Sequence, residues 1–247
     1  MTSSQRAAAA AAVLAAAFVV SGPLGAQELS IDLGGEDGSL SLRTIQIFIL
    51  ITLLSLAPGL AIMLTPFPFM VTVFSILRQA IGVQQAPPNM MIVSLALFLT
   101  YFVMEPVFAG AWAQGVQPML DGTLDPEEAF QPVMDPFRAF MQARVSPRTI
   151  EMMLEAAPQV PENGADLPLS ILVPSFLLSE IQRGFEVGFL IFLPFLVIDL
   201  VIAAVLMSMG MMMVPPAIVS LPFKLAFFVI ADGWTLLAGV MVRSYAP

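Results

Sequence analysis

The sequence predicts an all-α, membrane-associated fold. Of its 247 residues, 58% are hydrophobic and 11% are charged, whereas soluble domains carry roughly 25% charged residues. Several apolar runs approach the roughly 20 residues that a helix needs to cross a bilayer. Prolines interrupt most of these runs, so we expect kinked helices rather than straight spans.

The composition argues against several classes of function. The formal net charge is −9 and no basic run is present, so we expect no nucleic-acid partner. The chain contains no cysteine and no histidine, which removes the common nucleophiles, acid–base groups and zinc ligands. It also lacks a Gly-rich phosphate loop and a serine nucleophile motif. We therefore expect no catalytic cysteine or histidine residues, no metal site and no cofactor.

Residues 1–26 are typical of a secretory signal peptide. Arg6 precedes the apolar run Ala7–Val20, and small residues follow as far as Ala26. The alternative is an uncleaved anchor, but about fourteen apolar residues are short for a span. Residues 27–44 are rich in glycine, serine and acids, and they predict a flexible exported segment.

Residues 45–113 form a first apolar region, predicted as a helical hairpin. The run Ile45–Leu64 has spanning length. The stretch Phe69–Ile81 is more amphipathic, and Met90–Val107 is strongly apolar again.

Residues 114–168 are far more charged than the apolar regions on either side, with nine acidic residues and three arginines. They predict an insert of short, solvent-exposed helices. Asp125 is expected as the N-cap of one of them, with Pro126 at its first position. Positive charge tends to remain in the cytoplasm, so the acidic excess predicts the opposite, periplasmic side.

Residues 169–247 predict a C-terminal helical hairpin with a methionine loop. Two long apolar segments carry Asp199 and Lys224, and the midpoint between these two positions falls between Met211 and Met212. Charges inside a membrane are costly and usually face a partner. Antiparallel helices bring these two together only if the methionines form the tip of the hairpin. The glycine and prolines of Gly210–Pro216 favour helix ends there.

The charged residues of the hairpin have two interpretations. Asp199 and Lys224 are either a buried ion pair that fixes the register of the helices or a relay in an ion or small-solute transporter. One acid and one base without histidine favour the structural pair. A membrane aspartyl protease would need Asp232 beside Asp199, but the Gly-x-Gly-Asp motif is absent. Asp232 is instead expected at a helix interface within one last element, Ala217–Val242.

The methionine run also has two interpretations. Met211, Met212 and Met213 are either apolar filler or an adaptable constriction that excludes water and ions. Three consecutive methionines beside a glycine and a proline pair favour a gate.

Two weaker patterns precede the hairpin tip. Glu180, Arg183 and Glu186 recur every third residue, so they share a helix face and can pair. The spacing Gly184-x-x-x-Gly188 favours close approach of another helix.

The chain resembles the FliP family, subunits of the flagellar type III export gate. The resemblance extends over roughly residues 45–244 and is strongest after Leu169. It is carried by the runs Leu77–Arg78, Ala86–Asn89, Leu95–Thr100, Phe192–Ala203, Gly210–Pro216, Leu221–Lys224 and Asp232–Trp234. The virulence-secretion homologue is the nearest alternative, but the signal peptide and the acidic insert favour the flagellar branch.

The resemblance implies a non-enzymatic, pore- or gate-forming subunit that conducts unfolded flagellar proteins across the inner membrane. It implies about five copies in a helical assembly with FliQ, FliR and other export-gate proteins, located in the flagellar basal body. Met211, Met212 and Met213 would form a gasket, Asp199 and Lys224 the buried pair, and Glu180 a packing or subunit contact. A hydropathy count gives four spans, but the resemblance implies kinked hairpins that bury one another.

Overall fold

The structure is a computed structural model that describes residues 39–83, 86–157 and 167–245. Within these ranges all regular secondary structure is helical, which confirms the all-α class. The predicted signal peptide lies outside the described residues, as do residues 27–38 of the predicted exported segment. The chain divides into two compact units between Leu54 and Ser55, and the second unit contains the helix that begins at Phe67 and every later helix described.

The helices are numbered in chain order. They are α1 (Ser39–Met63), α2 (Phe67–Ile81), α3 (Asn89–Ala111), a π-helical turn (Trp112–Val116), α4 (Gln117–Leu120), α5 (Pro126–Arg144), α6 (Pro147–Ala156), α7 (Leu169–Ser208), α8 (Pro216–Ile230) and α9 (Gly233–Arg243).

Within the described residues, two helical stretches have the length and apolar composition to cross a membrane. They are Asn89–Leu120 and α7, and the bent pair α8–α9 would make a third. The hydropathy of the sequence predicts four spans. Helix α7 contains 40 residues and is therefore about 60 Å long. Since the hydrocarbon core of a bilayer is about 30 Å thick, α7 extends beyond it unless it is strongly tilted.

Helix α2 lies at the centre of the main hydrophobic core, and α7 and α3 pack against it. Gly184 and Gly188 allow this contact. A Cβ atom on Gly184 would lie 3.0 Å from Cβ of Thr72, and one on Gly188 would lie 3.1 Å from Cβ of Ile76. The close helix approach predicted from the glycine spacing is therefore confirmed.

The described part of the acidic insert, residues 114–157, is only partly exposed, contrary to the sequence-based expectation. Its longest helix, α5, packs on α3 and α7, and Met141 is buried with Leu172 and Phe176 in a second core cluster. The apolar face of α5 explains the difference, because it removes hydrophobic surface from water. Asp125 and Pro126 occupy the predicted cap positions, but the Asp125 side chain makes no capping hydrogen bond.

The last apolar element is two helices rather than one. Helices α8 and α9 meet at an angle of 60°. Asp232 has a left-handed backbone with φ of 48°, which interrupts the helical hydrogen-bond ladder. The next residue, Gly233, has no room for a side chain, because a Cβ atom there would lie 2.2 Å from the Phe228 ring. Asp232 is exposed at this bend, so its predicted place at a helix interface is wrong within this chain.

Candidate functional site: the methionine tip and its supporting charges

Helices α7 and α8 form an antiparallel hairpin. Nζ of Lys224 lies 2.6 Å from Oδ2 of Asp199 across the hairpin. One turn further from the tip on each helix, the rings of Phe195 and Phe228 approach to 6.3 Å between centroids. These two contacts define one register, in which the chain reverses at the methionine run.

The ion pair connects three helices rather than two. Lys224 is buried, whereas the Asp199 side chain is 33% exposed. The Ser220 hydroxyl donates a hydrogen bond of 2.5 Å to Asp199 Oδ1. Lys224 donates a second hydrogen bond, of 3.0 Å, to the backbone carbonyl of Ala80. Ala80 lies in the last turn of α2, where carbonyls lack helical partners and a cation is favourable.

A Schellman motif ends α7 just before the methionines. Gly210 has φ of 74°, a left-handed conformation that glycine adopts without a steric penalty. The Met211 N–H donates to the Leu206 carbonyl and the Gly210 N–H donates to the Met207 carbonyl, both at 3.0 Å. These two bonds satisfy orphan carbonyls of α7 and define the direction in which the chain leaves the helix.

The three methionine side chains extend from this turn. Met211 is 42% exposed, Met212 is 84% exposed and Met213 is 96% exposed. Pro215 and Pro216 follow, and the proline at the first position of α8 suits a helix start. The tip is therefore a backbone turn held by hydrogen bonds that presents flexible, apolar thioethers away from the rest of the chain.

Glu180 lies at a second buried charge cluster, far from the tip along α7. Its side chain is inaccessible to solvent. Oε1 lies 3.4 Å from Arg183, as the helical spacing predicts, and 3.5 Å from Arg144 of α5. Glu186 lies outside the ion pairs of this cluster and accepts a hydrogen bond of 2.9 Å from Gln182. Glu180 is thus a packing contact within the chain.

The sequence did not predict the roles of Arg144 and Tyr245. The Arg144 guanidinium lies 3.9 Å from the centre of the Tyr245 ring and donates to the Ser244 carbonyl at 2.5 Å. The Tyr245 hydroxyl donates to Glu180. Burial, and then the neighbouring Glu180 carboxylate, raise the pKa of Tyr245, so the hydroxyl keeps the proton that it donates.

One sequence signal could have indicated a distant partner for Arg144. Arginine on a helix often pairs with an acid three or four residues away, but Arg144 has no acid at those spacings. Its partners instead come from α7 and from the C-terminal residues.

The carboxylates give little support to acid–base catalysis. Asp199 is paired with Lys224 and Ser220, and Asp232 lies exposed at the bend between α8 and α9. Across the ranges described, no group of three histidine, cysteine, aspartate or glutamate residues is placed to hold a metal ion. The conspicuous features of the site are an ion-paired hairpin and its apolar tip.

Comparison with known proteins gives consistent matches along most of the chain. The model of the FliP family matches residues 50–241. This range includes the hairpin, its methionine tip, the Asp199–Lys224 pair and Glu180, but not Tyr245.

Relatives named "Flagellar biosynthetic protein FliP" occur in several bacteria. The Agrobacterium fabrum protein is 46% identical over 94% of this chain and 97% of its own length. The Caulobacter vibrioides protein is 48% identical over 97% of this chain and 91% of its own length. The Bacillus subtilis protein is 40% identical over 82% of this chain and 92% of its own length. With a family match over most of its length and relatives at this identity, the chain belongs to the FliP family.

Proposed function

We propose that this chain forms and gates the pore of the flagellar protein export apparatus, with Met211, Met212 and Met213 as the gate. As a member of the FliP family, the chain is a membrane-embedded subunit of that apparatus. The exposed methionine run at the hydrogen-bonded end of an ion-paired hairpin is the observation that carries the finer proposal.

The side-chain chemistry of the tip suits a gate for polypeptides. Methionine is unbranched and has three rotatable bonds, so it adapts to irregular contents. A ring of such side chains would close on itself when empty, and an apolar constriction excludes water and ions by dewetting. The same side chains would move aside for an unfolded chain of any sequence.

The charge pair would keep the tips of several copies at one height. Lys224 connects α7 and α8 through Asp199 and connects both to α2 through the Ala80 carbonyl. Sliding α8 by one turn would leave a buried ammonium without its carboxylate, which is costly. The register, and hence the height of the methionines, is thereby specified.

The proposed partners follow from the surface of α7 and from the resemblance. Much of α7 is apolar and exposed in the single chain, including Phe185, Phe189, Leu193 and Val197. Such surface marks contact with protein or lipid. We propose that about five copies of the chain associate with one another and with FliQ, FliR and other export-gate proteins. Unfolded flagellar subunits are the proposed cargo.

The proposed location is the inner membrane within the flagellar basal body. We propose that the N-terminal segment and the acidic insert lie on the periplasmic side, because the insert has an excess of acids and positive charge tends to stay in the cytoplasm. We propose no enzymatic activity, since the buried charges are engaged in structural pairs. The same pairing leaves the alternative, an ion or small-solute transporter with an Asp199–Lys224 relay, without a specific observation in its favour.

Alanine substitution of the tip tests the gate. The triple change Met211→Ala, Met212→Ala and Met213→Ala removes the volume that closes the constriction. We expect the ion leak of liposomes containing the assembled complex to rise by about tenfold, equivalent to a barrier lower by about 1.4 kcal/mol. The complex itself should still assemble, because these side chains are exposed in the chain.

A matched control uses two exposed methionines elsewhere. Met90 and Met91 are 82% and 61% exposed at the start of α3. Their double alanine variant should leave the leak at the wild-type level. A tip variant that assembles and leaks no more than this control would rule out the gate.

A further inference from the structure

We propose that the methionine tip is a site of reversible sulfoxidation, and that its oxidation by a peroxide opens the closed gate to water and ions. This inference rests on the proposed function and concerns the regulation of the same site. The substrate of the modification is the thioether run Met211–Met213, and the co-reactant is hydrogen peroxide or another small peroxide.

The methionines of the tip are far more exposed than the methionines of the core. Oxidation of a thioether needs direct contact with the oxidant, so it follows exposure. Met212 and Met213 are among the most exposed large hydrophobic side chains described, at 84% and 96%. Met70 and Met141, by contrast, are fully buried. The chain contains no cysteine, so methionine provides its only sulfur.

The reaction is a balanced two-electron oxygen transfer. A sulfur lone pair attacks one peroxide oxygen, an S–O bond forms and the O–O bond breaks. Sulfur is oxidised by two electrons and the peroxide is reduced. The departing hydroxide takes the proton of the transferred hydroxyl, so the products are methionine sulfoxide and water.

Oxidation of the tip is expected to change the polarity of its side chains without unfolding the hairpin. The backbone turn is held by the hydrogen bonds from Gly210 and Met211 to α7, and the Lys224–Asp199 pair is distant along the hairpin. In the single chain, the exposed side chains of Met212 and Met213 have room for an added oxygen. A sulfoxide is polar, so a ring of sulfoxides would hold water where a ring of thioethers excludes it.

The experiment treats liposomes containing the assembled complex with increasing hydrogen peroxide. Peptide mass spectrometry follows the gain of about 16 Da per sulfoxide. We expect Met212 and Met213 to be modified at lower doses than Met70 and Met141. The ion leak should rise several-fold in step with modification of the tip, and methionine sulfoxide reductases should reverse it.

A leucine variant provides the control. Met211→Leu, Met212→Leu and Met213→Leu keep an apolar tip of similar volume without sulfur, and all other methionines remain. Peroxide should then cause no leak. An equal leak in this variant would overturn the inference, as would an unmodified tip at a dose that oxidises Met90 and Met91. If the variant does not assemble, a leak in the wild-type complex that the reductases fail to reverse overturns it.

The outcomes distinguish this inference from the proposed gate. The alanine variant tests the gate without peroxide. If alanine opens the pore but sulfoxides at the tip do not, the gate stands and the regulation by oxidation falls. If neither change affects the leak, the gate itself is wrong.

Discussion

Lys224 shows how a cation is stabilised in an apolar hairpin. Its ammonium group has two acceptors, the Asp199 carboxylate at 2.6 Å and the Ala80 carbonyl at 3.0 Å. The carboxylate compensates the charge, whereas the carbonyl supplies a hydrogen bond at a helix C-terminus. Asp199 is less buried than Lys224, because its side chain is one-third exposed. It also accepts a hydrogen bond from Ser220.

The two single substitutions of this pair should therefore have unequal effects. Asp199→Leu leaves a buried ammonium without a counter-charge, and we expect it to lower the free energy of unfolding by about 2–3 kcal/mol. This is less than the roughly 3–5 kcal/mol of a fully buried pair. Lys224→Met leaves a carboxylate that still has Ser220 and partial access to solvent, so its cost should be smaller. Thermal unfolding of the purified complex measures both.

The double variant is the control for this prediction. Asp199→Leu combined with Lys224→Met replaces the pair by apolar groups, and it should be more stable than Asp199→Leu alone. Additive effects of the two substitutions would contradict the structural role of the pair. Normal assembly of both single variants with loss of transport would instead favour the relay.

At the scale of elements, the contact between α2 and α7 depends on two glycines. Any side chain at Gly184 meets Thr72, and its Cβ would also lie 3.4 Å from the Phe69 carbonyl oxygen. Because backbone yields less readily than the end of a side chain, the helices must separate to admit it. The hairpin is connected to α2 through Lys224, so this separation would also disturb the tip.

Substitution of Gly184 tests this contact. Gly184→Ala gains up to about 1 kcal/mol in helix propensity but overpacks the interface, at a cost of about 1–3 kcal/mol. We expect a net loss of stability for alanine and a larger loss for Gly184→Val. Thermal unfolding of the complex measures the difference.

Gly239 provides the matched control. Among the described residues, a Cβ atom on this helical glycine meets only Nη2 of Arg243, at 4.0 Å. Gly239→Ala should be neutral or slightly stabilising. If Gly184→Ala were as stable as Gly239→Ala, the stability of the fold would not depend on the close contact of α2 and α7.

For the whole molecule, the main observation is the apolar surface that the single chain leaves uncovered. Leu190, Leu200 and Val201 of α7 are more than half exposed, although α7 is the longest helix described. A helix of about 60 Å cannot lie entirely in a hydrocarbon core of about 30 Å without strong tilt. Part of this surface is therefore expected to contact other subunits, and single chains should be poorly soluble.

Native mass spectrometry of the complex tests this expectation. The wild-type chain should be recovered as a multimer with two other small membrane proteins. Leu190→Lys places a charge on the uncovered face of α7 and should markedly reduce the multimer, because a charge buried in an apolar interface is costly. Met152→Lys, on the amphipathic helix α6 and similarly exposed, should assemble normally. Equal recovery of both variants would contradict a subunit contact at this face of α7.

Much of the fold and of the tip could be predicted from local sequence. Composition determined the all-α, membrane-associated class. The midpoint between Asp199 and Lys224 falls within the methionine run, and this predicted where the chain reverses. The glycine spacing on α7 predicted close packing. Each of these inferences depends on short-range periodicity or on the cost of an unpaired charge, and both can be read from neighbouring residues.

The tertiary structure alone decided which distant groups meet. The Ala80 carbonyl beside Lys224 lies 144 residues away along the chain, and Tyr245 reaches Glu180 across 65 residues. The left-handed backbone of Asp232, which divides the last apolar run, was also not evident from hydropathy. Such contacts depend on how whole helices pack, because packing satisfies buried polar groups with whichever partner the fold brings near. The sequence by itself therefore determined the hairpin and its tip, while the packing of α2, α5 and the C-terminal residues determined what holds them in place.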